Sequence, residues 1–221
     1  PGGWLAVSLD LGTRAICARV FPDAVSLFST AAAITAIDIP IGLPDKGARR
    51  CEAESRARLG ARRSSVFPVP PRCALDADSY ETASSVSFDV SGKRLSKQTW
   101  AIVPKIREVD ASLRTSGELA GRVWEIHPEL CFYYWNREQP MRHAKKSGFG
   151  FVERYELARS IFGESASAIR AAIPESHAAD DDILDALAAL WTATRIHDGT
   201  AIQLPESPDL DAHGLPMRMM A

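Results

Sequence analysis

The stretch Ile34-Thr35-Ala36-Ile37-Asp38-Ile39-Pro40-Ile41-Gly42-Leu43-Pro44 decides the fold class. Its first half is almost wholly apolar and rich in β-branched residues. That is the composition of a strand covered on both faces, which is the usual situation in α/β proteins. Pro40 ends the run, because proline cannot continue a central ladder, and Gly42 and Pro44 mark the turn beyond it. A carboxylate, Asp38, sits between two isoleucines within this pattern.

Working outward, Trp4–Leu9 and Ile16–Phe21 read as two further strands, joined by Asp10-Leu11-Gly12-Thr13 as an antiparallel hairpin. Arg122–Ile126 reads as another strand, stopped by His127-Pro128. Helical character is predicted over Cys51–Leu59, Ile106–Leu119, Phe151–Ile161 and Asp181–Ile196, with a weak helix over Tyr80–Val90. Gly92–Thr99 reads as a polar connection, Ser64–Arg72 as a proline-stiffened loop, and a proline-rich tail comes after the last helix. Early strands, then strands alternating with helices, imply an α/β fold with a mixed sheet flanked by helices. The long segment of about 44–105, with little regular apolar period, reads as an insertion between the central strands of one domain spanning 1–221. Because Trp4 already begins a strand, the start reads as cut from inside a structured element, and further residues are expected upstream of residue 1.

The 221 residues are 46% hydrophobic and 24% charged, enough to bury about 70% of the unfolded surface in one core. This composition excludes a disordered tail, a collagen-like repeat and a disulfide-stapled mini-protein. No run of eighteen apolar residues exists, so no membrane span is expected. Cys17, Cys51, Cys73 and Cys131 are widely spaced, without a CxxC pair, which excludes a zinc knuckle and fits a reducing, cytoplasmic setting. The net charge of −2 conceals segregation: Pro44–Arg72 carries eight basic and three acidic residues, and Ile173–Ala221 nine acidic and two basic. Such a chain can present a basic surface and an acidic cluster at once, although both could equally be solvated faces.

Three places hold carboxylates inside apolar patterns: Asp38, Glu125 between Trp124 and Ile126, and the pair Asp182 and Asp185 on the last helix. A buried unpaired carboxylate costs several kcal/mol, so each needs a cation or must protonate. Strand carboxylates converging on helical ones would form an oxygen cage for Mg²⁺ or Mn²⁺, and two such ions can clamp a phosphodiester. Each residue also has an ordinary structural alternative. Asp38 would cap the next turn, Glu125 would pair with a base, and Asp181 and Asp182 would be helix N-terminal acids. Asp185, beyond the first turn of an alanine-rich helix, is the hardest to explain that way.

Several motifs resemble the DUF429 family: Ala36–Pro44, Arg63–Arg72, Lys97–Asp110, Glu125-Ile126-His127-Pro128-Glu129, Asp181–Ala189 and Gly214-Leu215-Pro216-Met217. The resemblance covers nearly the whole chain and implies a ribonuclease-H-like fold and a predicted nuclease activity. It implies a first-strand metal-binding Asp upstream of Gly2-Gly3-Trp4, leaving Asp10 in the turn after a strand, although Asp10 is the one residue here that could otherwise take that place. Among motif residues, Ser64, Ser65 and Arg72 would hold a phosphate, with Arg72 as a bidentate clamp. Gln98, Lys105 and Glu108 would complete the site, Glu108 as a further metal ligand or base. His127 would shuttle a proton, or else be a strand-end histidine bonded to backbone. Lys145, Lys146 and Arg154 would add phosphate contacts, or form a solvated helix face.

The leading expectation is therefore a Mg²⁺- or Mn²⁺-dependent, two-metal nuclease with Asp38, Glu125, Asp182 and Asp185 as metal ligands and catalytic groups. Rivals are a non-catalytic module binding nucleic acid or nucleotide, and a phosphohydrolase or transferase acting on a small phosphorylated substrate. A homodimer is compatible with the sequence.

Overall fold

The computed structural model describes residues 3–221; Pro1 and Gly2 lie outside the described residues, as does the expected upstream strand. Strands β1 (Trp4–Leu9) and β2 (Ile16–Phe21) pair antiparallel in full register, Trp4 opposite Phe21 and Leu9 opposite Ile16. Asp10 closes the hairpin turn by accepting from the backbone N–H and hydroxyl of Thr13 at 2.7 and 2.9 Å, the side-chain-to-backbone bond that makes Asp a turn residue. After the short helix α1 (Ala24–Phe28) comes β3 (Thr35–Ile37), which runs parallel to β4 (Val123–Glu125). Between them lie α2 (Arg50–Leu59), two 3-10 turns (Gly60–Ser65 and Arg72–Asp76), α3 (Tyr80–Ser91), α4 (Lys97–Thr115) and α5 (Gly117–Arg122). Within the inserted segment, α2 and α3 stand where helices are expected over Cys51–Leu59 and Tyr80–Val90. Helix α4 starts earlier than its apolar period suggests: Ser96 caps it through Thr99 N–H, and the helix continues through the exposed Pro104.

The C-terminal half is helical: α6 (Pro128–Trp135), α7 (Gly148–Phe162), α8 (Ser165–Ala172) and α9 (Asp180–His197). The tail forms a two-residue antiparallel pair, β5 (Gln203–Leu204) with β6 (Met219–Met220). A parallel bridge between Ile126 and Met220 joins this pair to the end of β4. The strands form small paired sheets of both orientations, and the chain is of α/β class. No helix among the described residues is long and apolar enough to cross a membrane.

Alternation along the strands distributes side chains between two cores. Ala6, Phe21, Ile37 and Val123 pack with Val103, Ile106 and Val109 of α4 and Leu27 and Phe28 of α1. Leu5, Val7, Ala36 and Trp124 face the other way, onto Leu184, Leu187, Ala188 and Trp191 of α9 and Phe132 and Trp135 of α6. Strands β3 and β4 are therefore covered on both faces, as the apolar run leading to Asp38 requires, whereas β2 leaves Cys17 and Arg19 exposed on one side.

A carboxylate pair at the end of strand β3

The same alternation separates the expected ligands. Glu125 lies opposite Ile37 in the parallel register, so its side chain goes to the α4 face, whereas Asp38, one residue on, turns to the α9 face. Glu125 is held on both oxygens: Arg49 donates through Nη1 and Nη2 at 2.7 Å each, and the Ile41 N–H adds a bond of 2.6 Å. Arg49 is itself buried and also donates to Glu52 at 3.1 Å and to the Ile41 carbonyl at 3.0 Å. Burial, with a smaller push from Glu52, raises the Glu125 pKa, and the Arg49 guanidinium and these bonds oppose it without reversing it. Glu125 is thus not a free metal ligand but half of a buried ion pair that fixes the turn at 40–43 against β4.

Asp38 has a different environment. It makes no hydrogen bond or ion pair within the described residues, and it is open to solvent on one side while protein crowds the others. Desolvation raises its pKa to about 7, against the opposing pull of Lys145 and Lys105 and with a further push from Glu125. Asp185 of α9, near enough to Asp38 for the two charges to repel, is also raised to about 7, mainly by burial and in part by Asp38, despite the nearby Lys145. One of its oxygens, Oδ1, is buried without any partner. The other is bonded by Lys145 Nζ, which also reaches Asp181 at 3.2 Å. Burial lowers the Lys145 pKa, but Asp185 and Asp181 outweigh it, so the ammonium stays charged.

His127 borders the same region at the start of α6. Its Nε2 lies 3.1 Å from the Ser65 carbonyl. A carbonyl can only accept, so Nε2 carries the proton and Nδ1 the lone pair. Nδ1 is buried and unpartnered, and burial lowers the pKa despite the acids Glu129, Asp185 and Glu125, so the ring is neutral at pH 7. The histidine is therefore both backbone-bonded and equipped with a free basic nitrogen.

Other expected site residues are placed elsewhere. Asp182 is a helix N-terminal acid: its Oδ2 accepts from Ala179 N–H at 2.9 Å. Arg72 is not a free phosphate clamp, because Nη1 is bonded to Asp110 at 2.9 Å and Nη2 to Asp211. Asp211 also accepts from Leu43, His213 and Leu215, so this cluster ties the C-terminal loop to the turn after β3. Ser65 uses its hydroxyl on the Arg62 carbonyl, and Ser64 is exposed. Glu108 accepts from Trp4 Nε1 at 3.1 Å and Ala24 N–H at 3.0 Å, a structural role. Lys105 lies over the Trp4 ring and donates to the Gly3 carbonyl at 2.8 Å; burial lowers its pKa, opposed by Glu108, Asp182 and Asp38. Gln98 and Lys146 are exposed, with no bond to the Asp38 cluster. A separate cavity of about 330 Å³ between α7, α8 and α9 is lined by Phe151, Tyr155, Ile183 and Leu184 and includes neither Asp38 nor Asp185.

Among the described residues, no three His, Cys, Asp or Glu side chains converge as a metal-ligand group. The site is a carboxylate pair with raised pKa, a neutral histidine and one lysine. Sequence reasoning identifies Asp38, Asp185 and His127 but not the partnership of Lys145 with Asp185, whose one signal is its place in a cationic loop 40 residues away.

The fold and site define an α/β protein with an under-compensated acidic cleft between a strand end and a helix. The family model for a protein of unknown function, DUF429, matches residues 1–210, and the chain belongs to that family. No curated protein and no solved structure matches it.

Proposed function

We propose that the chain is a divalent-cation-dependent phosphodiesterase on a ribonuclease-H-like domain, acting on nucleic acid at the Asp38–Asp185 cleft. The observation that carries this reading is that the single cation Lys145 is shared between Asp185 and Asp181, while Asp185 Oδ1 and the whole Asp38 carboxylate have no partner among the described residues. Burial raises both Asp38 and Asp185 to about 7 despite Lys145. An arrangement that bears this desolvation cost lacks positive charge, and hard oxygen donors suit Mg²⁺ or Mn²⁺. The orphaned Asp185 Oδ1 fits the same requirement. The parallel β3–β4 pair, with Asp38 directly after β3 and α9 packed across it, supports the fold assignment.

Asp38 and Asp185 would hold the cation, with Asp181 within reach once Lys145 moves aside. When bound, the ion supplies Lewis-acid polarisation of a phosphoryl group and balances the carboxylates. Neutral His127 carries its lone pair on the buried Nδ1 and would accept a proton only if water enters beside that nitrogen when substrate binds, while its Nε2–H bond to Ser65 keeps the ring oriented. Lys145, freed from one carboxylate, is placed to meet a phosphate oxygen.

The test is hydrolysis of bis(p-nitrophenyl) phosphate and of labelled single-stranded, duplex and hybrid oligonucleotides with Mg²⁺ or Mn²⁺. Asp38→Asn and Asp185→Asn are expected to lose most activity; equal cleavage by parent and variants refutes the assignment.

A second reading rests on a specific observation: Lys145 spans Asp181 and Asp185, and no metal-ligand trio is preassembled among the described residues. On that reading the site binds a phosphate-bearing ligand without hydrolysing it. Salt-sensitive binding with no turnover under any divalent ion selects it.

A further inference from the structure

The segment between α6 and α7 is tethered far more firmly than a surface loop needs. Both oxygens of Glu153 accept from the backbone, Arg142 N–H at 2.9 Å and His143 N–H at 3.1 Å. The buried Arg154 donates to the His143 carbonyl at 3.3 Å and the Gly150 carbonyl at 2.8 Å, and grips Glu129 of α6 through two bonds of 2.7 Å. From the other side, Arg62 donates to the Met141 carbonyl at 2.9 Å and to that of Arg142. Gly150 allows the closest turn, since a Cβ there would run into the Ala144 carbonyl.

What this rigid loop presents is specific. Lys145 points into the carboxylate cleft. Arg142 and Lys146 are exposed, and neither has an ion-pair partner among the described residues. Phe149 is 75% exposed and lies against the His143 ring, centroids 5.4 Å apart at a tilt of 36°. Phe149, in the first turn of α7 at the end of this clamped segment, is an aromatic side chain left in water. It lies a few residues from two cations without an ion-pair partner among the described residues and from Lys145, which reaches Asp185. That combination has the chemistry of a site for a planar ring joined to phosphates. Aromatic faces take nucleobases without regard to sequence, and the cations take the backbone.

We infer that the Arg142–Phe149 loop is a substrate-binding element on which Phe149, backed by His143, stacks a base of single-stranded nucleic acid, while Arg142 and Lys146 hold the flanking phosphates. Binding here stands independently of the phosphodiesterase reading of the cleft; only hydrolysis of the bound strand rests on that reading. A duplex would keep its bases stacked on each other, so the platform favours a single strand.

Binding is measured by fluorescence anisotropy in EDTA, with a short labelled single-stranded oligonucleotide and an abasic strand of equal length. The parent is expected to bind the base-bearing strand about tenfold more tightly, the worth of one stacked base. Phe149→Ala should erase that preference, and Phe149→Trp should keep it. Arg142→Ala and Lys146→Ala should weaken both strands alike and flatten the salt dependence. Equal affinity of the parent for the two strands, an undiminished preference in Phe149→Ala, or no binding overturns the inference. Displacement by free mononucleotide at the same nucleotide concentration overturns the assignment to a polymer. Hydrolysis of bis(p-nitrophenyl) phosphate, which has no nucleobase, is measured in parallel. Its failure counts against the phosphodiesterase reading alone.

Discussion

Replacing Asp185 with Asn tests the physical basis of the site without reference to any substrate. In the folded protein this carboxyl is raised from 3.8 to about 7, chiefly by burial and then by Asp38, with Lys145 working the other way. A raised acid pKa means that the folded state holds its proton more tightly than the unfolded chain. The associated stability is therefore complete below about pH 4 and is lost as the pH rises to about 7. Above that pH the charged group burdens the fold by at most about 4 kcal/mol, at 1.36 kcal/mol per unit. The side chain retains 19% exposure and Lys145 loses a partner in the variant, so a net gain of about 2 kcal/mol at pH 8 is expected. For a domain of this size that corresponds to a rise of roughly 4–8 °C in Tm. Thermal melts of parent and Asp185→Asn across pH 4–8 measure it. The gain should be near zero at pH 4 and grow through pH 7, and Mn²⁺ should raise the Tm of the parent more than that of the variant. A variant less stable than the parent at pH 8, or a difference independent of pH, refutes the account of Asp185 as a buried charge that Lys145 only partly balances.

The ion pairs and the turn that frame the cleft lead to further expected outcomes. Arg49→Met leaves Glu125 buried without its cation, while Glu52 keeps Arg56, and should cost about 3–5 kcal/mol. Arg49→Met with Glu125→Leu should recover a large part; urea denaturation of the three proteins decides this. Gly42 has φ of +74°, and a Cβ there would lie 2.9 Å from the Leu215 carbonyl, so Gly42→Ala should destabilise by about 2 kcal/mol or more in the same assay. Glu153→Gln removes the charged clamp on the Arg142 and His143 N–H groups, and should weaken oligonucleotide binding several-fold while changing stability by less than about 1 kcal/mol.

Much of the local structure is legible without coordinates. The hairpin at 4–21 arises from two apolar runs around a Gly-containing turn, and α9 from its acidic start and apolar circumference. Helices α6 and α8 are not legible in that way: α6 starts at a proline directly after a strand, and α8 has only eight residues. Both are stabilised by packing on α9 rather than by local propensity, which short segments cannot supply alone.

The sequence by itself determined the α/β class, the family, the covered strand within the apolar run at 34–39 (β3, Thr35–Ile37) and the presence of carboxylates that need explanation. Only the tertiary structure decided which of them meet. Asp38 and Glu125 look equivalent as lone acids in apolar strands, yet pairing of β3 with β4 sends them to opposite faces. There Arg49, 76 residues from Glu125, neutralises one of them, while the other is left facing Asp185 and Lys145. Periodicity along the chain records which residues are buried. It carries no record of which distant cation arrives beside each buried charge, because that is fixed by strand register and helix packing across long separations.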